Sequence, residues 1–107
     1  MATPTLDNFQ VIADPSRRQI LYLLTKDSYN INSLAENFEM SRPAVSKHIG
    51  ILQKAGFITI NEVGRERYCT LNQNGFIELR NWLNYFDKFW SSKLKNLETA
   101  LNKKTKH

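Results

Sequence analysis

The chain has 107 residues, of which 41% are hydrophobic, and a formal net charge of +5 at pH 7. That length predicts one domain spanning 1–107 with a single core and no separate ligand-binding domain, so any sensing must occur inside the unit or between subunits. With only 4 Gly and 3 Pro, the composition excludes a largely disordered chain and predicts a mostly helical one, with flexible ends confined to 1–4 and 102–107.

A first helix is predicted from Thr5, with Leu6, Phe9 and Ala13 at helical spacing, ending where Asp14-Pro15 intervenes. Asp14 then caps a second helix and Pro15 occupies its first turn, where a missing N–H costs nothing. That helix turns Ile20, Leu21 and Leu24 inward and closes near Thr25 to Asp27. Tyr29 and Ile31 suggest a short strand able to pair with a later hairpin. Asn32 is the expected cap of a third helix carrying Leu34, Ala35 and Phe38 inward, and Ser41 the cap of a fourth, with Pro43 in its first turn. On helix 42–55 the helical period puts Val45, Ile49 and Leu52 on one side and Pro43, Ser46, Lys47, Gly50 and Lys54 on the other. One side builds the core; the other is free to read a partner. Ala55-Gly56 ends the helix, Phe57-Ile58-Thr59-Ile60 opens a strand, Gly64 turns it, and Glu66 to Leu71 returns, which makes 60–70 a hairpin.

A last helix is predicted from Asn72 to about Leu101. Phe76, Leu79, Leu83, Phe86, Trp90, Leu94, Leu97 and Leu101 form a near-heptad seam along it. A small body covers only the start of so long a seam, so a second copy is expected over the rest, with the apolar face of the first helix beside it. Leu6, Phe9, Phe86, Trp90, Leu94 and Leu97 are the interface candidates. The aromatic residues Trp82, Phe86, Phe89 and Trp90 read as dimer core before they read as a ligand box, although an effector, of unknown identity, would fit best there.

The position of the charge is more telling than its size. Residues 1–40 hold three basic and five acidic side chains, 41–70 hold five and two, and 71–107 hold seven and three. The segment with the fourth helix and the hairpin is therefore basic, as a surface facing phosphates should be; Lys103, Lys104 and Lys106 read as a solubilising tail. No apolar run reaches the ~18 residues of a membrane span, and Met1-Ala2-Thr3-Pro4 is not the charged start of a signal peptide, so a soluble cytoplasmic protein without a membrane partner is expected. The one cysteine, Cys69, cannot form an internal disulfide and reads as a small buried hydrophobe.

With the elements placed, four segments become informative together. Ile12-Ala13-Asp14-Pro15-Ser16-Arg17-Arg18-Gln19-Ile20-Leu21 resembles the opening of the second helix in the ArsR/SmtB family of bacterial repressors. Ser41-Arg42-Pro43-Ala44-Val45-Ser46-Lys47-His48-Ile49, then Leu52-Gln53-Lys54-Ala55-Gly56-Phe57-Ile58, and the hairpin Gly64-Arg65-Glu66-Arg67-Tyr68 resemble it too. The resemblance covers about residues 5 to 90. It implies a mainly α (α+β) winged helix-turn-helix, four helices, a two-stranded hairpin and a long C-terminal dimerisation helix, in a homodimer that represses transcription from an inverted-repeat operator in double-stranded DNA. Metal-sensing members carry a cysteine pair on the third helix or His and carboxylate ligands along the last. Here the third helix reads Asn32-Ser33-Leu34-Ala35-Glu36-Asn37-Phe38, without a thiolate, and the last offers carboxylates such as Glu78 and Asp87 but no histidine before His107. No cofactor and no metal site are expected, and the aromatic run Trp82 to Trp90 resembles the non-metal members.

The residues expected to touch DNA are Arg42, Pro43, Ser46, Lys47 and His48 on the fourth helix and Arg65 and Arg67 on the hairpin. Ser46 and Lys47 can bond base edges or phosphates, Gly50 permits close approach, and Arg42 can grip a guanine or a phosphate. His48 sits at the flank of the core side, where packing competes evenly with a phosphate contact. Strand alternation puts Arg65 and Arg67 on one face and Glu66 on the other, with Glu62 an alternative partner for Arg67. Arg17 and Arg18 open a helix whose dipole repels them, so at least one should have a carboxylate or phosphate partner. No nucleophile–base pair, Gly-rich phosphate loop or catalytic cluster is present, which argues against an enzyme. The reading from another class is a winged-helix protein–protein interaction scaffold without DNA-binding activity; the polar, basic outer face of the fourth helix disfavours it.

Overall fold

The computed structural model describes residues 6 to 105. Its elements are α1 (Asn8–Ile12), α2 (Pro15–Leu24), β1 (Tyr29–Asn30), α3 (Ile31–Ala35), α4 (Arg42–Lys54), β2 (Ile58–Val63), β3 (Glu66–Leu71) and α5 (Asn74–Thr105). The protein is thus mostly helical, with a small antiparallel sheet in the order β1-β3-β2 and a long C-terminal helix.

Side-chain caps account for most of the helix starts. Asp14 accepts from the backbone N–H of Ser16 and Arg17 at 2.8 and 3.2 Å, with Pro15 in the first turn as expected. Ser41 accepts from Ala44 and opens α4. Two starts differ from expectation. The start of the first helix at Thr5 lies outside the described residues; α1 begins only at Asn8, because Asp7 and Gln10 form a reciprocal capping box that leaves Leu6 before the helix. Its buried residue is Val11, whereas Ala13 is an exposed C-cap. For α3 the cap is Asn30, not Asn32: Asn30 accepts from Ser33 at 2.7 Å. Pairing of Tyr29 with Cys69 and Asn30 with Tyr68 draws the chain into the sheet and starts the helix two residues early.

The core is built from Val11, Ile20, Leu24, Leu34, Val45, Ile49, Leu52, Phe57, Ile58 and Cys69, all nearly inaccessible to solvent. The three apolar positions predicted for α4 are all in it. Its exit is a Schellman turn: Phe57 N–H donates to the Leu52 carbonyl at 2.9 Å and Gly56 N–H to that of Gln53 at 3.0 Å, with Gly56 at φ 85°. Phe57, expected in the strand, instead belongs to this turn and is fully buried against Phe76 of α5.

Asn72 precedes α5 instead of beginning it, because its side chain is used to close the corner: it accepts from Asn74 N–H and donates to Thr59. The helix then runs 32 residues to Thr105, past the predicted end at Leu101. At ~1.5 Å per residue it is roughly 48 Å long. The molecule accordingly measures 74 × 39 × 25 Å. The expected flexible residues 1–4, and residues 106 and 107 of the tail, lie outside the described residues.

A Cβ on Gly75 would stand 2.7 Å from both the ring and the backbone nitrogen of Phe57. Gly75→Ala is therefore expected to lower stability by about 1–3 kcal/mol, measured as a shift in the urea unfolding midpoint, because α5 must move off the α4 exit to make room.

Candidate nucleic-acid interface

The start of α4 and the hairpin enclose a shallow polar cleft of about 160 Å³, lined by Asn30, Ile31, Asn32, Arg42, Ser46, Arg65, Glu66 and Arg67. Four of the seven expected DNA contacts are thereby gathered around one space. Arg42 is held there as the first residue of a capped helix, and Ser46 one turn further on stays on the same side. Pro43 and Lys47 are exposed on the outer face of α4. Gly50 continues that face, and a Cβ built on it meets nothing within 4 Å.

The hairpin differs from expectation in one respect. Val63 pairs with Glu66, so Gly64 and Arg65 are the two turn residues and Arg65 is outside the strand. Strand alternation does not govern a turn residue, and Arg65, Glu66 and Arg67 all reach the cleft. Glu66 does not face away; its carboxylate accepts from the Tyr68 hydroxyl at 2.7 Å and the Asn30 side-chain amide at 3.3 Å. The hydrogen bond to Glu66, then that carboxylate's charge, pushes the Tyr68 phenol up, so it remains a donor. Arg67 stands opposite Glu62 in the register, but among the described residues the two form no ion pair. Asn30, Glu66 and Tyr68 were not among the expected site residues. Only the β1–β3 pairing brings Asn30 to the hairpin.

Arg17 is the one charged side chain in the core of the described residues, 9% exposed. Its Nε donates to the Val11 carbonyl at 2.6 Å and its Nη2 to that of Gln10 at 3.4 Å, while Nη1 lies 3.2 Å from His48 Nδ1 and 3.9 Å from an Asp14 carboxylate oxygen. Arg18 donates to the Ile12 carbonyl at 2.6 Å. The carboxylate partner expected for one of this pair is thus Asp14, although the shorter bonds go to backbone oxygens at the end of α1. His48 is half-buried with one ring nitrogen toward Arg17, as the packed alternative required.

Cys69 is fully buried, and burial pushes its thiol up despite the opposing charge of Arg67, which disfavours a reactive thiolate. Among the described residues no three His, Cys, Asp or Glu side chains come together in a metal-binding group, and no helix is long and apolar enough to cross a membrane.

Of the interface candidates, Phe9 packs edge-on to Trp82 with centroids 5.3 Å apart, so α1 does lie beside α5. Leu6 is 40% exposed, and Phe86, Trp90, Leu94 and Leu97 are 39, 60, 61 and 55% exposed. Beyond Leu79 each α5 residue with a described side chain is exposed.

A helix-turn-helix sharing a basic cleft with a hairpin defines a winged-helix protein. A family model described as bacterial regulatory protein, arsR family, matches residues 14–59. The transcriptional repressor SdpR of Bacillus subtilis is 37% identical over 81 residues, spanning 75% of this chain and 90% of its own. The HTH-type transcriptional regulator Rv2034 of Mycobacterium tuberculosis is 34% identical over 86 residues, spanning 80% and 78%. The crystal structure of an ArsR family transcriptional regulator superposes with a TM-score of 0.72 at 34% identity, covering 79% of this chain and 88% of that one. The chain belongs to the ArsR family: it is a winged-helix, DNA-binding regulator of transcription and not an enzyme.

The Asp14 cap ties this site to acid stability. Partial burial opposes its ionisation, but the N–H groups of Arg17 and Ser16, together with the Arg17 charge, outweigh that and hold the carboxyl below its usual range. A carboxyl depressed on folding stabilises the fold above the unfolded-state value, about 3.9, and that stabilisation is lost as the pH falls through the folded value. Asp14→Ala should cost about 0.5–2 kcal/mol at neutral pH, and the deficit should shrink in thermal melts taken below about pH 4.

Proposed function

We propose that the chain acts in the cytoplasm as a homodimeric repressor, each 1–107 protomer being one domain. Helix 42–55 enters the major groove of double-stranded operator DNA and hairpin 60–70 serves as the wing. Arg42, Pro43, Ser46 and Lys47 meet the major groove and its flanking phosphates, while Arg65 and Arg67 reach the adjacent minor groove or its backbone. The observation that carries this reading is the shared cleft: Arg42 and Ser46 of α4 line one space with Arg65 and Arg67 of the hairpin. An incidental basic patch has no reason to converge from two elements far apart in sequence.

The apolar seam of α5 supports the dimer. Leu83, Phe86, Trp90, Leu94, Leu97 and Leu101 are each 39 to 61% exposed. Fully burying such a side chain contributes ~1.5–3 kcal/mol and about half of each is still exposed, so covering the six is worth roughly 5–9 kcal/mol, within the range of a whole domain's net stability of ~5–15 kcal/mol. A dimer paired through α1 and α5 presents two copies of α4, which calls for an inverted repeat with half-sites about one helical turn apart.

Selection of bound sequences from random duplex DNA should return such a repeat, with affinity falling on added salt at a log–log slope of ~−0.9 per phosphate neutralised. Lys47→Ala and Arg65→Ala should each weaken binding and reduce that slope by about one, with no change in melting temperature. Wild-type affinity in both would move the reading surface elsewhere, and a folded dimer binding no duplex would favour the protein-interaction scaffold. Trp90→Glu combined with Leu94→Glu should convert the dimer to monomer in sedimentation at micromolar concentration. A chain already monomeric before the change would remove the paired-helix geometry.

A further inference from the structure

The contact between Arg17 and His48 joins a buried guanidinium to the helix that carries the reading face, and it restricts the chemistry of the imidazole. A guanidinium in a protein stays protonated and has no lone pair to offer, so Arg17 is the donor. His48 Nδ1, 3.2 Å from Nη1, is therefore the acceptor and carries no proton. A neutral imidazole with a bare Nδ1 has its hydrogen on Nε2. The two nitrogens of the ring diverge, so that N–H is directed away from Arg17.

Burial says where it goes. Among the described residues Nε2 has no hydrogen-bond partner, and no buried side-chain nitrogen or oxygen lacks one. Since His48 is only half-buried, Nε2 must reach solvent, next in sequence to the exposed Ser46-Lys47 face of α4. Arg17 cannot easily shift to release the ring, because it is anchored on the carbonyls of Val11 and Gln10 and stands near the Asp14 carboxylate.

Resting on the DNA-binding reading above, we propose that Arg17 is a positioning residue for that surface: it holds His48 as the Nε2–H tautomer and presents that N–H as a neutral donor to a backbone phosphate beside α4. Packing and contact with the partner are then two ends of one ring, not alternatives. Recognition gains a donor of fixed direction, and α1, α2 and α4 are joined through one guanidinium.

The test pairs nitrogen-15 NMR of the full chain with two substitutions. In the wild type the His48 ring should show an unprotonated Nδ1 and a protonated Nε2, and the Nε2–H resonance should move when selected duplex is added. A protonated Nδ1, or an Nε2–H signal indifferent to DNA, would overturn the proposal without any variant. His48→Asn keeps an oxygen acceptor near Nδ1 for Arg17 and loses the outer donor, so affinity should drop about tenfold at near-normal stability. His48→Gln sets an amide near Nε2 and should keep more affinity while losing stability. Because the donor is neutral, His48→Asn should leave the salt slope as it is, whereas Lys47→Ala lowers it. Wild-type affinity in His48→Asn, or a slope reduced by one, overturns the proposal while the DNA reading stands. A wild type that binds no duplex but still shows the Nε2–H tautomer fails the DNA reading itself, and the phosphate partner with it.

Discussion

The direction of the chain as it leaves α4 governs the geometry of the functional surface. Gly56 in the left-handed region lets Phe57 fold back under the helix, where its N–H bonds the Leu52 carbonyl and its ring is sealed from solvent. The same corner receives the start of α5: Gly75 N–H donates to the Gly56 carbonyl at 2.7 Å and Asn72 N–H to that of Phe57 at 2.8 Å. Three elements are thus locked at one point. The strands diverge from it toward the wing, and the long helix leaves in another direction.

From that corner two surfaces of different character develop. On one side the capped start of α4 and the tip of the hairpin face each other across a cleft rich in arginine, with Glu66 held by Tyr68 and Asn30. On the other side α5 departs from the body with its apolar seam uncovered, and α1 accompanies only its first turns through Phe9 and Trp82 and through the Asn8 amide on the Gly75 carbonyl. Charge suits the first surface to a polyanion. Apolar area suits the second to another apolar helix.

Much of this was legible in the residues because it rests on local chemistry. Asp14-Pro15, Ser41 and Gly56 are stop and start signals whose physics acts within a few residues, and the helical period of Val45, Ile49 and Leu52 identifies a core face without reference to any neighbour. The departures have two kinds of cause, pairing across the sheet and a local cap. Asn30 displaced Asn32 as a cap because β1 pairs with a strand nearly forty residues away. Arg65 left the strand because the register closes at Val63 and Glu66, and Glu66 met Asn30 through that same pairing. Leu6 fell before α1 because a capping box at Asp7 and Gln10 took precedence over apolar spacing.

By itself the sequence determined the class of fold, the buried and exposed sides of α4, the hairpin with its glycine turn, and a last helix with an apolar seam along its length, since each depends on propensities and periodicities that operate along the chain. Only the tertiary structure decided that four of the expected contact residues line one cleft and that Arg17 is buried with His48 as its neighbour. A guanidinium opening a helix reads as a surface charge until α1 supplies carbonyls and α4 supplies a ring nitrogen. Those partners are 6, 7 and 31 residues away, a range at which spacing carries no directional information and packing alone chooses the contact.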